Sequence, residues 1–158
     1  MKQENNLKQM TRISERQKKY MERFYEPEFS AYDFMCLFCA VNGIQQKYSF
    51  DREILLSFIK SCKLNGEYTN LLDDINFKSN GVFYYSEELQ EAITKLKLAG
   101  VLYTISPERD SSILISIDTH FEELMGPRND YLDQMEAFVS SFNTYVSKSD
   151  LKKLEMVC

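Results

Sequence analysis

Residues 86–117, SEELQEAITKLKLAGVLYTISPERDSSILISI, constrain the fold more tightly than any other stretch of the chain. Ser86 stands where a helix N-cap accepts from the backbone, and Glu87 and Glu88 follow in the first turn, where the positive end of the helix dipole favours negative charge. Leu89, Ala92, Ile93 and Leu96 then fall at i, i+3, i+4 and i+7, leaving Glu88, Gln90, Glu91, Lys95 and Lys97 on the other side, which predicts an amphipathic helix. Gly100 is its natural C-terminal cap. Residues 101–105 and 113–117 are rich in β-branched side chains and flank the loop-forming run SPERDS, which predicts a hairpin with a polar tip.

Upstream the pattern is helical. Ser30 with Asp33 makes a capping-box start, and Phe34, Leu37, Phe38 and Val41 recur at helical spacing while Met35, Cys36, Cys39 and Ala40 fill the other faces. A helix apolar on every side predicts the buried centre of the fold, with Asn42 and Gly43 closing it. Asp51 or Ser49 caps a further helix with Ile54, Leu55, Phe58, Ile59 and Cys62 on one stripe, ended by Asn65 and Gly66. Thr69 begins a short turn with Leu71, Leu72 and Ile75 inward, and Val82, Phe83, Tyr84 and Tyr85 predict a short strand after Asn80 and Gly81. After the hairpin, Asp118 or Thr119 caps a short helix ending near Gly126. Asn129 starts a long one carrying Leu132, Met135, Phe138, Val139, Phe142, Tyr145 and Val146, and Ser149 caps a last one. Met10, Ile13, Tyr20, Met21 and Phe24 predict a first helix that Pro27 terminates.

The expected class is therefore mainly α with one β-hairpin (α+β): a basic N-terminal helical extension over 1–28, a core over 29–126 and a C-terminal helical extension over 127–158. At 158 residues, the chain suits one full core. It carries no apolar run of the ~20 residues that cross a bilayer and no apolar leader, so the expectation is a cytoplasmic protein away from membranes. The net charge of −5 is split: residues 1–24 hold seven basic and three acidic residues, about +4, and the remaining 12 bases face 21 acids, about −9.

The run LKLAGVLYTISPERDSSILISID resembles the end of the recognition helix and the wing of winged helix-turn-helix proteins, including the multiple-antibiotic-resistance regulator type. That resemblance implies a winged-helix-like core with flanking helices at both ends, and a homodimer formed through those helices. It also implies a surface that meets DNA, where Lys and Arg contact phosphate. Here Glu87, Glu88 and Glu91 occupy that surface and Arg109 is the basic residue of the wing. Carboxylates facing phosphates are repelled over a Debye length of ~8 Å, so a polypeptide is the expected counterpart.

The reading that follows is a non-enzymatic interaction or regulatory subunit, an accessory component that binds a protein partner through Glu87, Glu88, Glu91, Tyr84, Tyr85 and Arg109. Tyrosines at element edges suit such contacts. The alternative is a dimeric transcriptional regulator that binds double-stranded DNA with Arg12, Arg16, Lys18 and Lys19 of the basic segment.

Enzymatic patterns are weak throughout. Cys36 and Cys39 form a CxxC mid-helix in apolar company, where packed thiols are expected rather than a metal or redox pair, and the single histidine, His120, is remote in sequence. Asp73 with Asp74, Glu87 with Glu88, and Glu122 with Glu123 are sequence neighbours, which on a helix diverge by about 100° and do not converge on one bond. The five glycines are isolated and build no phosphate cradle. No catalytic residue, metal or cofactor is expected.

Overall fold

The computed structural model describes residues 28–105 and 111–157, with side chains up to Ser149. The first helix predicted from sequence, the basic residues Arg12, Arg16, Lys18 and Lys19, and the wing residue Arg109 lie outside the described residues. What is described is mostly helical with two small antiparallel sheets.

Helix α1, Ala31–Ile44, is the centre. Its start is fixed three times over. The Ser30 hydroxyl accepts from the Asp33 N–H (3.0 Å), the Asp33 carboxylate accepts from the Ser30 N–H (3.1 Å), and Asp74, far along the chain, accepts from the Ala31 N–H (2.8 Å). These bonds satisfy amides that a helix N-terminus otherwise leaves orphaned. Eleven of the 14 residues of α1 are buried. Asn42, polar and buried, donates its amide to the Phe38 carbonyl at 2.8 Å.

Asn42 and Gly43 do not close α1 as the sequence suggested, since the helix runs on to Ile44 and the left-handed residue beyond it is Gln46 (φ 60°). Gly43 serves close approach instead. A methyl group there would run into the Phe121 ring, and Phe121 opens helix α5, Phe121–Met125, which packs on α1.

Strand β1, Ser49–Asp51, leads into helix α2, Arg52–Leu64. Asp51 does two jobs. Its carboxylate caps α2 by accepting from Glu53 N–H (2.8 Å) and Ile54 N–H (3.1 Å), and also accepts from the Ser111 hydroxyl (3.3 Å). A short α3, Thr69–Leu72, follows, then a small hairpin of β2, Lys78–Ser79, and β3, Tyr84–Tyr85. The expected strand over 82–85 is thus shorter: Val82 and Phe83 belong to the loop, where Asn80 turns its side-chain oxygen onto their N–H groups at 2.9 and 2.8 Å. Such an Asx turn offers the backbone a closer partner than a ladder would, and Gly81 (φ 91°) makes it affordable in conformational terms.

Helix α4, Glu87–Leu98, ends as expected before Gly100, whose φ of 78° few other residues tolerate. Strands β4, Leu102–Thr104, and β5, Ser112–Ile115, then close a three-stranded sheet in the order β1-β5-β4. Phe50 lies opposite Ile113, and Leu102 opposite Ile115, all four buried. The other face turns Tyr103 and Leu114, also opposite one another, to the outside.

Two further expectations change here. Neither Asp118 nor Thr119 caps α5: His120 precedes it and makes no side-chain cap. After a 3₁₀ turn over Gly126–Tyr131, helix α6 runs unbroken over Leu132–Val157, through Ser149. With no glycine or proline in those 26 residues, nothing in the backbone favours a stop there. Met135, Phe138, Val139 and Phe142 of α6 belong to the same apolar cluster as α1. No helix among the described residues is long and apolar enough to cross a membrane.

Replacing Gly43 with alanine is expected to lower unfolding stability by about 1–3 kcal/mol, the usual cost of overpacking. Adding Phe121→Leu should recover part of that loss, so that urea titration of the four variants of this cycle reads a coupling between the two positions. Strict additivity would mean that α1 and α5 do not meet through this pair.

Candidate protein-contact site

Ser86 is fully buried and caps α4 by accepting from the Leu89 N–H at 3.3 Å. Leu89, Ala92, Ile93 and Leu96 point into the core, which fixes the rotation of α4 and hence where its acids lie. They do not form one face. Glu87 pairs with Lys78 of the small hairpin at 3.0 Å. Glu88 is half-buried and turned toward the body, accepting from the Asn76 amide (3.4 Å) and the Ser86 hydroxyl (3.1 Å). Glu91 is exposed.

These surroundings act on the protonation equilibria. Burial pushes the Glu88 carboxyl up, but hydrogen bonds from its own N–H, Asn76 and Ser86 outweigh it and hold the group below its ordinary 4.5. Lys78 is held above the usual lysine range, first by its hydrogen bond to Glu87 and then by that carboxylate's charge. The two acids therefore fasten the hairpin to the first turn of α4.

Beneath the hairpin lies a cleft of about 730 Å³ between α2, β3 and α4. Leu56 of α2, Phe77, and Leu89 and Ile93 of α4 supply its apolar lining, and Lys60 and Tyr84 line it as well. The Lys60 ammonium sits over the Tyr84 ring, 2.9 Å from its centroid, a cation–π contact. On the rim, Val82, Phe83 and Tyr84 are 77%, 68% and 56% exposed.

Of the residues singled out from sequence, Tyr84, Tyr85, Glu87, Glu88 and Glu91 thus gather around one end of α4, with Tyr85 half-buried and Glu88 engaged internally. Sequence reasoning missed Lys60, Leu56 and Phe77 as members of the same site. The available signal was that Leu56 and Lys60 are four apart on the flank of the α2 stripe, but nothing local says which element will cover that flank. Val82 and Phe83 were read as strand, and their exposure follows from the Asx turn at Asn80.

The residues weighed for chemistry fall elsewhere. Cys36, Cys39 and Cys62 are buried thiols. Burial raises the first two, and it pushes Cys62 up to about 11, with the Glu67 charge adding to it. His120 lines a second, shallower hollow of about 490 Å³ with Asp118, Thr119 and Glu123, and none of those three cysteines reaches it. Among the described residues no group of three His, Cys, Asp or Glu side chains converges to hold a metal ion. Comparison with known proteins gives no match to a family model, a curated protein or a solved structure.

Because its folded-state pKa is depressed, Glu88 contributes stability that is complete above the ordinary 4.5 and is lost as pH falls through the lower folded value. Glu88→Gln should cost about 0.5–1 kcal/mol in urea unfolding near pH 7, a cost that shrinks as pH falls through the depressed folded value. A cost that does not change with pH would show that the carboxylate charge plays no part. In a Cys158→Ser chain, a disulfide thiol reagent should label no cysteine until the protein unfolds. Rapid labelling under native conditions would contradict the burial of Cys36, Cys39 and Cys62.

Proposed function

We propose that the chain is a non-enzymatic interaction or regulatory subunit, acting in the cytoplasm, that binds a protein partner through the small hairpin and the outer edge of α4. The scaffold is winged-helix-like. The order α1, β1, α2, α4, β4, β5 and the sheet order β1-β5-β4 support that reading, with α4 in the place of the recognition helix and β4–β5 in the place of the wing. The segment between α2 and α4, however, folds into α3 and the β2–β3 hairpin, and the hairpin is fastened to the first turn of α4 by Lys78–Glu87. A duplex approaching that end of α4 would meet the hairpin, Glu87 and Glu91 before any base edge.

One observation carries the proposal: three consecutive residues with large exposed side chains, Val82 and Phe83 in the turn that Asn80 caps and Tyr84 at the start of β3, stand together at the surface. Scattered exposed apolar side chains are ordinary, but a contiguous set beside an apolar cleft marks a contact surface. Aromatic anchors on a preorganised loop give a partner area at small conformational cost.

The regulator reading is supported by the same topology together with the basic segment at 1–24. In that reading Arg12, Arg16, Lys18, Lys19 and Arg109 would meet phosphate, and the N- and C-terminal helices would form a dimer.

A photo-crosslinking residue placed at Glu91 in the native host, with mass spectrometry, identifies the partner. Val82→Ser with Phe83→Ser should then weaken binding of that purified partner about 100-fold, since each buried side chain of this size is worth ~1.5 kcal/mol or more. Glu87→Lys, which sets two cations side by side and releases the hairpin from α4, should weaken it further without unfolding the chain. A salt-dependent shift of double-stranded oligonucleotides, abolished by charge reversal at Arg12, Arg16, Lys18 and Lys19 and indifferent to the hairpin variants, would overturn this reading in favour of DNA.

A further inference from the structure

We infer that the cleft beneath the hairpin receives a short acidic, amphipathic segment of a protein partner, with an apolar side chain on its floor and a carboxylate on Lys60. This rests on the protein-partner reading above and adds the chemistry of what is bound. It differs from the sequence-based expectation of a basic counterpart for the acids of α4.

The charge distribution is the first argument. Residues 25–158 carry about −9, yet the cleft is lined by Arg52, Lys60 and a single acid, Glu53. Glu53 is engaged with Arg52 at 3.6 Å. Glu87 is matched by Lys78, and Glu88 faces the body. Lys60 is different. Among the described residues no carboxylate pairs with it, and its ammonium rests on the Tyr84 ring. A half-buried cation whose partner among the described residues is a ring face gains most from an incoming carboxylate, because the apolar walls strengthen the pair and Tyr84 can keep its contact from the other side.

The shape is the second. From Arg52 to Lys60 the wall of α2 runs about 12 Å, the length of two helical turns or of about four extended residues. That suits a linear segment with anchors at i and i+3 or i+4. A small amphiphile, such as a fatty acid, would satisfy Lys60 and the floor but leave Val82 and Phe83 on the rim in water. A polypeptide covers floor and rim together.

The test uses the purified full-length chain as bait for a random phage-displayed library of peptides of about 12 residues, roughly three helical turns. Enriched sequences are synthesised for fluorescence anisotropy, and sodium decanoate is titrated in parallel by NMR. The inference expects enriched peptides to combine Asp or Glu with Leu, Ile or Phe at helical spacing. Their affinity should fall at least about tenfold in Lys60→Glu, recover in Lys60→Arg, and fall similarly in Tyr84→Ala. Thermal melts of each variant separate lost binding from lost fold.

Enriched peptides that are basic, or acidic ones indifferent to Lys60→Glu, overturn the inference while leaving the protein-partner reading intact. Decanoate shifting Lys60 and Tyr84 resonances while no peptide binds overturns it in favour of a small ligand. No peptide and no decanoate binding overturns it as well; the crosslink at Glu91 then decides the wider reading on its own.

Discussion

Helix α1 has no polar face to leave in water, and the rest of the molecule is arranged to enclose it. Phe38 is the hub. Its ring meets Phe50 of β1 edge-on at 5.3 Å and Phe142 of α6 at 5.7 Å, and it stacks on Phe34 of its own helix at 6.0 Å. Phe34 in turn meets Phe138 at 5.2 Å, nearly perpendicular. Buried phenylalanines contribute about 1.5–3 kcal/mol each, so a helix of this kind cannot be stable until α4, α5, α6 and the sheet are all in place. Arg128, bonded to Asp33 at 2.8 Å and to the Leu124 carbonyl at 2.9 Å, ties the 3₁₀ turn back to the start of α1 and completes the enclosure.

The same enclosure places the candidate contact site. Asp74 caps α1 and lies just after α3, so the segment leading to the hairpin is pinned to the core at that point. Other pins are spread along it. Lys63 donates to the carbonyls of Leu72 (3.0 Å) and Ile75, a cation at the end of a short helix where its dipole welcomes one. Tyr68, in a left-handed conformation (φ 53°) that a bulky residue adopts only when its surroundings compensate, meets Phe138 edge-to-face and shares a hydroxyl–hydroxyl hydrogen bond with Ser141 at 2.9 Å. Asn76 and Lys78 then reach α4 through Glu88 and Glu87. Each of these contacts is modest, but together they hold the base of the hairpin while its apolar tip meets solvent.

What was legible in the sequence was whatever a helix period writes locally. The α1 and α4 starts, the stripe of α2, and the inward faces of Leu89, Ala92, Ile93 and Leu96 follow from caps and spacing alone. Strands β1 and β2 were not legible. Ser49–Asp51 and Lys78–Ser79 are too short to show alternation, and each exists because a partner strand lies beside it. Gly43 misled for a related reason: a glycine that ends a helix and one that admits a neighbouring ring look alike until Phe121 is in view. At the site, the acids of α4 were read as a single charged surface, but their partners Asn76 and Lys78 sit in a segment whose fold depends on distant pins. Residues 82–85 suggested a strand by composition; Tyr84 and Tyr85 form one, while the side-chain oxygen of Asn80 holds Val82 and Phe83 in the turn.

The acids of α4 consequently work mainly on this chain rather than on a partner. Glu87 and Glu88 spend their charge on the hairpin and the helix dipole, and exposed pairs such as Lys78–Glu87 contribute little to global stability. Their effect is positional: by fixing where the hairpin stands, they keep the Tyr84 ring on Lys60 at the edge of the cleft. A cleft held open by its own surface contacts need not be built when something binds, so less ordering entropy stands against association. The acidic residues that made α4 a poor match for a duplex are thus the ones that keep an apolar, locally basic recess ready on an otherwise acidic body.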